Sequence, residues 1–156
     1  MIDIFKGFDF RELYSLDFKE DSVREVLILP ILTELGYHQN QIVRSKTLSH
    51  PFVKIGSQKR QVNIVPDYLL KVEESYAWVL DAKAPNEDIF SGGNVEQVYS
   101  YAIHPEVRTK FFALCNGNSF VLYRQDEQKP LLSFALREIG NYWEELSGFQ
   151  IGRAHV

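Results

Sequence analysis

The stretch "PDYLLKVEESYAWVLDAK" (residues 66–83) places two runs of strand-forming residues on either side of the short acidic turn "EES". The strands "VNIVPDYLLKV" (residues 62–72) and "YAWVLDAKA" (residues 76–84) that this stretch joins are rich in Leu, Val, Tyr or Trp, so they predict an antiparallel hairpin. Alternation along the second strand directs Asp81 and Lys83 to the same face as Val79. Burying two charges beside aliphatic side chains is unfavourable unless a partner balances them. The hairpin is therefore the first place to look for function.

The segments around this hairpin predict an α/β fold with a mixed sheet, because helices and strand pairs alternate without a regular βαβ repeat. Residues 20–36 predict a helix that ends at Gly36, and "QIVRSKTL" predicts a first strand. The segments after the hairpin are, in order, the helix "VEQVYSYAIHPE", the strands "KFFALC" and "SFVLYR" around the turn "NGN", the edge strand "LLSFAL" and a last helix near residues 137–146.

Length and composition fit one ordinary domain, which we expect to span residues 1–150. The chain has 156 residues, of which 45% are hydrophobic and 24% are charged. Its single cysteine excludes an intramolecular disulfide framework, and "VLILPIL", the longest apolar run, is too short to cross a membrane. We therefore expect a soluble, cytoplasmic protein. The end "IGRAHV" (residues 151–156) resembles a reading frame of a sequencing adapter, so we expect a non-native terminus and a longer native chain.

One segment is basic although the net charge of the chain is −4. Between Gln41 and Pro66 there is no Asp or Glu, and the five cations are Arg44, Lys46, Lys54, Lys59 and Arg60. Such a segment in an acidic protein is typical of a surface that binds a polyanion. The alternative is a solvated hairpin that happens to be rich in lysine.

Two carboxylates and one ammonium group make the candidate site. Asp67 and Asp81 lie on the two arms of the hairpin, and Pro66 marks a strand edge or a bulge because it cannot donate a ladder hydrogen bond. Like charges in a poorly solvated place repel, and a divalent cation relieves that repulsion. Carboxylate ligands favour Mg²⁺ or Mn²⁺ over Zn²⁺. The alternative is that Asp81 and Lys83 form a structural ion pair at a sheet edge.

Two helices supply further polar candidates. At 100° per residue, Glu20 lies on the same side of the first helix as Leu27, so it is placed to act as an additional ligand; Glu25 is the alternative. Gln97 and Tyr101 are four residues apart on the later helix and share a face. Their polar ends favour contact with a phosphate or with the lysine, although ordinary surface and core positions explain them equally well.

Five of these elements, taken in order, resemble a known superfamily. "ELGY", "PDYLL", "DAKAP", "QVYSYA" and "FFALCNGNSFVLYR" are similar to the PD-(D/E)xK nucleases, and in particular to the N-terminal nuclease domain of type I restriction enzyme R subunits. The resemblance runs from about residue 20 to residue 124. It implies a restriction-endonuclease-like α/β/α sandwich with a central mixed sheet.

The resemblance also implies roles for individual residues. The metal ligands would be the carboxylates of Glu20, Asp67 and Asp81 and the backbone carbonyl of Ala82. Lys83 would position the attacking water and stabilise the transition state, while Gln97 and Tyr101 would support the site. This sequence has Asp81 where that branch more often has Glu, and the shorter side chain shifts the expected position of the metal.

The implied function is Mg²⁺-dependent hydrolysis of DNA phosphodiester bonds in a restriction system, with Mn²⁺ as a substitute. The basic residues would contact the DNA backbone. The sequence contains no GxxxxGK[ST] motif, so an ATPase motor would come from a missing part of the chain or from a partner. The resemblance also implies restriction-modification subunits as partners. The alternatives are a non-catalytic nucleic-acid-binding module on the same fold and a stand-alone DNA repair nuclease.

Overall fold

The computed structural model describes residues 3–55 and 58–149, and along 49–55 and 58–63 it describes the backbone alone. Residues 151–156, where we expect the non-native terminus, lie outside the described residues. The strands within the described ranges are β1 (Ile42–Arg44), β2 (Leu48–Ile55), β3 (Gln58–Ile64), β4 (Tyr68–Val72), β5 (Ser75–Ala82), β6 (Phe111–Cys115), β7 (Ser119–Arg124) and β8 (Leu132–Ala135).

Within the described ranges, three longer helices accompany these strands, besides short 3-10 helices at Phe10–Tyr14, Gln39–Gln41 and Leu136–Glu138. The first, α1, has α-helical ends (Glu20–Ser22 and Leu29–Glu34) and a π-helical middle (Val23–Ile28). The second, α2, is Gly93–Ala102, and the third, α3, is Ile139–Gly148. Along the described part of the chain, no helix is both long and apolar enough to cross a membrane.

Six strands form a mixed sheet in the order β1-β4-β5-β6-β7-β8, while β2 and β3 form a separate hairpin. β4 and β5 pair antiparallel with Tyr68 opposite Leu80, which confirms the predicted hairpin. β5 and β6 pair parallel, so both strands end at the same edge of the sheet. The predicted α/β sandwich with a mixed sheet is confirmed.

Helices cover both faces of the sheet, which explains why β5 is buried along its second half. On one face, Leu27 and Ile31 of α1 pack with Trp78 and Leu80, and α3 adds Leu146 to the same core. Trp78 is fully buried, and its indole N–H donates to the hydroxyl of Tyr37 over 3.0 Å. The helices α1 and α3 therefore cover this face of the sheet.

On the other face, α2 packs against the residues that alternate with these. Val98, Tyr101 and Ala102 form a second core with Val79 of β5 and Leu114 of β6. Because side chains alternate along a strand, Asp81 lies on the α2 face, two residues beyond Val79. The charged end of β5 therefore lies on the face of the sheet that α2 covers.

The π-helical turn of α1 has a local cause. The N–H of Leu29 donates to the carbonyl of Arg24, five residues earlier, in place of the usual four. Pro30 follows immediately, and it has no N–H to continue the regular ladder. α1 thus widens one turn after its beginning, close to the residues that face the site.

Two predicted strands are each divided in the structure. "QIVRSKTL" separates into β1 and the beginning of β2 at Ser45, whose φ of 50° takes the backbone out of extended geometry. The run around Pro66 separates into β3 and β4, which belong to different sheets. Pro66 therefore marks the strand edge that the sequence predicts, and Asp67 lies in a bend just before β4.

Candidate active site

Two backbone–carboxylate hydrogen bonds lock the predicted acidic pair together. The N–H of Asp67 donates to Oδ1 of Asp81 over 2.9 Å, and the N–H of Ala82 donates to Oδ2 of Asp67 over 2.7 Å. The exchange is reciprocal because each strand binds the carboxylate of the other. Asp67 can donate in this way because it lies in the bend after Pro66 and not inside the β4 ladder. The break at Pro66 thus creates the pair.

Lys83 completes this group from the end of β5. Its side chain is only 11% exposed, and its Nζ lies 3.1 Å from Oδ2 of Asp81. The same ammonium donates to Oε1 of Gln97 on α2 over 2.6 Å. The backbone N–H of Lys83 donates to the carbonyl of Cys115 over 2.9 Å, so β6 fixes the main chain at this point. The lysine is held between the sheet and α2.

α1 reaches the acidic pair through an arginine. Nη1 of Arg24 donates to Oδ1 of Asp67 over 3.1 Å and to Oε2 of Glu20 over 2.9 Å. Nη2 of Arg24 pairs with Asp21. Glu20 therefore faces the site, whereas Glu25, the alternative helix carboxylate, is exposed. Arg24 is not among the residues that the sequence predicts for the site, yet it joins α1 to the acidic pair.

Gln97 and Tyr101 share one face of α2, as their spacing predicts. Tyr101 is buried, and that burial together with the nearby carboxylates of Asp81 and Asp67 raises the pKa of its phenol above the ordinary value, against a hydrogen bond with Gln97. The phenol therefore stays protonated and is available as a hydrogen-bond donor. The structure thus brings Tyr101, Gln97 and Lys83 to one side of the acidic pair.

The electrostatics of the pair favour an additional cation. Burial raises the pKa of the Asp81 carboxyl to about 7, and the charge of Asp67 adds to the rise. The ammonium of Lys83 and the N–H of Asp67 oppose this rise without cancelling it. A divalent ion beside both carboxylates would stabilise their charged forms.

The donor chemistry fits Mg²⁺ or Mn²⁺. Mg²⁺ usually takes one or two carboxylates from a protein and keeps several waters, so Asp67 and Asp81 suffice. Each carboxylate oxygen has two lone pairs, and one hydrogen bond leaves acceptor capacity on it. Among the described residues, no group of three or more His, Cys, Asp or Glu side chains is arranged as a metal site. The ligand roles of Glu20 and of the Ala82 carbonyl stay predictions.

The predicted DNA-binding residues lie on two elements. Arg44 is exposed at the end of β1, directly opposite Tyr68, the residue after Asp67. The carbonyl of Asp67 accepts from the N–H of Ser45 over 3.0 Å, which ties this edge to the site. Lys46 is half-buried between β1 and β2. The side chains of Lys54, Lys59 and Arg60 on the β2–β3 hairpin lie outside the described part of the chain.

An asparagine turn supports the loop that follows Lys83. Nδ2 of Asn116 donates to the carbonyl of Glu87 over 2.8 Å, and Nδ2 of Asn118 donates to the carbonyl of Pro85 over 3.0 Å. Gly117 lies between them with a φ of 90°. The "NGN" motif thus forms the predicted turn. Its two amides also hold the backbone of residues 85–87 beside the site, a role that the sequence alone does not indicate.

Comparison with known proteins gives one informative match. No protein-family model matches the chain, and neither does any curated protein. A solved structure described as "the fragment structure of a putative HsdR subunit of a type I restriction enzyme from Vibrio vulnificus YJ016" superposes with a TM-score of 0.58 at 22% sequence identity. The match covers 84% of this chain and 26% of that one. The two chains share a fold. This chain spans about a quarter of the length of that structure, so the match concerns this part alone.

Proposed function

We propose that this chain is a metal-dependent DNA endonuclease of a type I-like restriction system. The observation that carries the proposal is the reciprocally hydrogen-bonded pair Asp67 and Asp81, with the ammonium of Lys83 3.1 Å from Asp81. Two carboxylates that need a cation, beside a buried lysine, suit hydrolysis of a phosphodiester, whose transition state gains negative charge. Gln97, which contacts Lys83 from α2, is exposed to solvent.

The ion would be held by Asp67 and Asp81 together with the predicted carbonyl of Ala82. When bound, Mg²⁺ supplies Lewis-acid chemistry that neutralises charge on the phosphate. Lys83 is restrained by Asp81 and Gln97, so its ammonium would donate a hydrogen bond to the attacking water or to a phosphate oxygen. Tyr101, kept protonated by its raised pKa, would donate to the same group.

The shared fold and the motif order support a restriction system as the biological setting. A restriction role implies DNA as the substrate and, for a type I-like system, an ATPase motor and specificity or modification subunits. It also implies a cytoplasmic location. The exposed Arg44 beside the site would contact the DNA backbone, with Lys46 and the β2–β3 hairpin extending that contact.

One observation favours the non-catalytic alternative. Oδ1 of Asp67 already accepts from Arg24, and both oxygens of Asp81 have partners within the chain. A nucleic-acid-binding module with a closed, self-neutralised ion network would look similar. It would bind DNA equally well with EDTA and after loss of Lys83, whereas a nuclease would need both the metal and the lysine.

The test is cleavage of supercoiled plasmid and of single-stranded DNA with Mg²⁺, Mn²⁺ or EDTA. We expect metal-dependent nicking that Asp81→Asn and Lys83→Met abolish. The matched controls are Asp126→Asn, whose carboxylate pairs with Arg124 away from the site, and Lys110→Met, which is exposed. Both controls should retain activity. Cleavage that persists in EDTA or in the Asp81 variant would exclude the proposed mechanism.

A further inference from the structure

The guanidinium of Arg24 contacts carboxylates from α1 and from the bend before β4 at the same time. Its single nitrogen Nη1 lies 2.9 Å from a carboxylate oxygen of Glu20 and 3.1 Å from one of Asp67. That nitrogen therefore bridges a helix carboxylate and a sheet carboxylate, as a divalent ion bound to both would. The side chain is 26% exposed, so the guanidinium is partly withdrawn from water at this position.

The charges around the guanidinium explain why it stays there. Three carboxylates, from Glu20, Asp21 and Asp67, contact it, and they come from two different elements. A guanidinium is protonated at every pH that proteins tolerate, so no physiological change in pH removes this positive charge. The opposite side of the acidic pair is different, since the cation that contacts Asp81 there is the ammonium of Lys83, 3.1 Å from Oδ2.

We propose that Arg24 is a built-in cation between Glu20 and Asp67 that restricts the site to one divalent ion, bound on the Asp81 side. The inference rests on the proposed metal site and goes beyond it, because it assigns the number of ions and gives Arg24 the role of a positioning residue. Glu20 then holds Arg24 and does not bind the ion directly. The arginine replaces the second metal that a two-ion site would place between the helix and the sheet.

The test is the number of Mn²⁺ ions that the full chain binds, measured by isothermal titration calorimetry and by electron paramagnetic resonance of free Mn²⁺. We expect one ion for the wild type and two for Arg24→Gln, which vacates the position between the carboxylates. Arg24→Lys retains a cation there and should restore one ion. Arg11→Gln removes an exposed arginine that pairs with Asp9 and serves as the control, with one ion expected.

A double variant locates the extra ion. Adding Glu20→Gln to Arg24→Gln should return the number of ions to one, because the second position loses its helix carboxylate. Wild-type binding of two ions, or an unchanged single ion in Arg24→Gln, would overturn the inference.

A single variant tests the inference even if Arg24→Gln does not fold. Glu20→Gln alone should weaken Mn²⁺ binding by no more than about a hundredfold, as expected for a residue that supports a ligand and does not touch the ion. Asp81→Asn should remove binding. If Glu20→Gln removes binding as completely as Asp81→Asn does, Glu20 is a direct ligand and the inference is wrong. If the wild type binds no Mn²⁺ at all, the proposed metal site fails first, so the two failures are distinguishable.

Discussion

Two polar clusters lie side by side where β5 and β6 end, and they differ in charge, because one contains ionised side chains and the other contains neutral amides. The charged cluster consists of Asp67, Asp81 and Lys83, and the amide cluster is the turn 116–118. In the amide cluster, Oδ1 of Asn116 accepts from the N–H groups of Asn118 and Ser119, at 3.0 and 2.9 Å. These hydrogen bonds join neutral groups, and both partners of each bond belong to this chain.

The charged cluster is also hydrogen-bonded, yet it retains an electrostatic cost. The raised pKa of Asp81 shows that burial and repulsion disfavour its charged form even with Lys83 in contact. A buried polar group that is fully paired stabilises a fold, whereas one that needs an external partner is typical of a functional site. We infer that the amide cluster serves stability and that the charged cluster serves binding.

Asp81→Asn should separate these roles most strongly. DNA cleavage should fall by at least about a hundredfold, because the ion loses a carboxylate ligand. Without metal at pH 8, the variant should be at least as stable as the wild type, since it removes one of two repelling buried charges. Plasmid cleavage and urea unfolding measure the two effects. A large loss of stability would show that Asp81 and Lys83 form a structural ion pair.

Asn116→Ala should lower the stability of the fold and leave metal binding unchanged. The substitution leaves two backbone N–H groups and the carbonyl of Glu87 without their partner, which costs about 2–3 kcal/mol in the free energy of unfolding. Mn²⁺ binding per folded molecule should be unchanged, because no predicted ligand is altered. Asn86→Ala, in the exposed loop after Pro85, is the control and should unfold like the wild type. Loss of the metal site in Asn116→Ala would mean that the two clusters are coupled.

Gly117→Ala tests the same turn by its backbone. A Cβ at Gly117 would lie 2.7 Å from Cδ2 of Leu13, and the φ of 90° is strained for any L side chain. We expect a loss of about 1–2 kcal/mol in the free energy of unfolding. Gly148→Ala in α3, where a Cβ meets nothing, should cost much less. Equal effects at the two glycines would show that the turn is not tightly packed.

The pH dependence of stability should reveal the charged cluster without any DNA. The pKa of Asp81 is about 7 in the fold and 3.8 in its ordinary state, so the unfolded chain releases this proton first as pH rises. The contribution of Asp81 to stability is therefore present below about pH 4 and is lost as pH rises through 7. Relative to Asp81→Asn, the metal-free wild type should lose on the order of 1 kcal/mol between pH 5 and pH 8.

Divalent ions should cancel that loss. Mn²⁺ should raise the melting temperature of the wild type more at pH 8 than at pH 5.5, because a proton competes with the ion for Asp81 at the lower pH. The Asp81→Asn variant should show little shift at either pH. A metal effect that is independent of pH would place the ion away from Asp81.

The parts of the site whose residues lie close together in the sequence were predictable. Asp67 and Asp81 are 14 residues apart on one hairpin, and strand alternation placed Lys83 beside them. The ion pair between Arg24 and Asp67 joins residues 43 apart, so no spacing rule indicates it. The division of the strand at Pro66 was visible as an edge, but the assignment of its two halves to different sheets depends on tertiary packing.

The π-helical turn of α1 has a consequence for insertions and deletions. The carbonyl of Arg24 closes this wide turn by accepting from Leu29, so the turn contains one residue more than an α-helix needs. Deleting the exposed Val26 would let the same carbonyl accept from the N–H four residues on, so α1 would become regular with Glu20 and Arg24 still facing Asp67. Deleting a residue within Leu29–Glu34, where the helix is a regular α-helix, would instead rotate the preceding residues by roughly 100° relative to those that follow. The wide turn thus tolerates the loss of one residue, whereas the regular part of α1 does not.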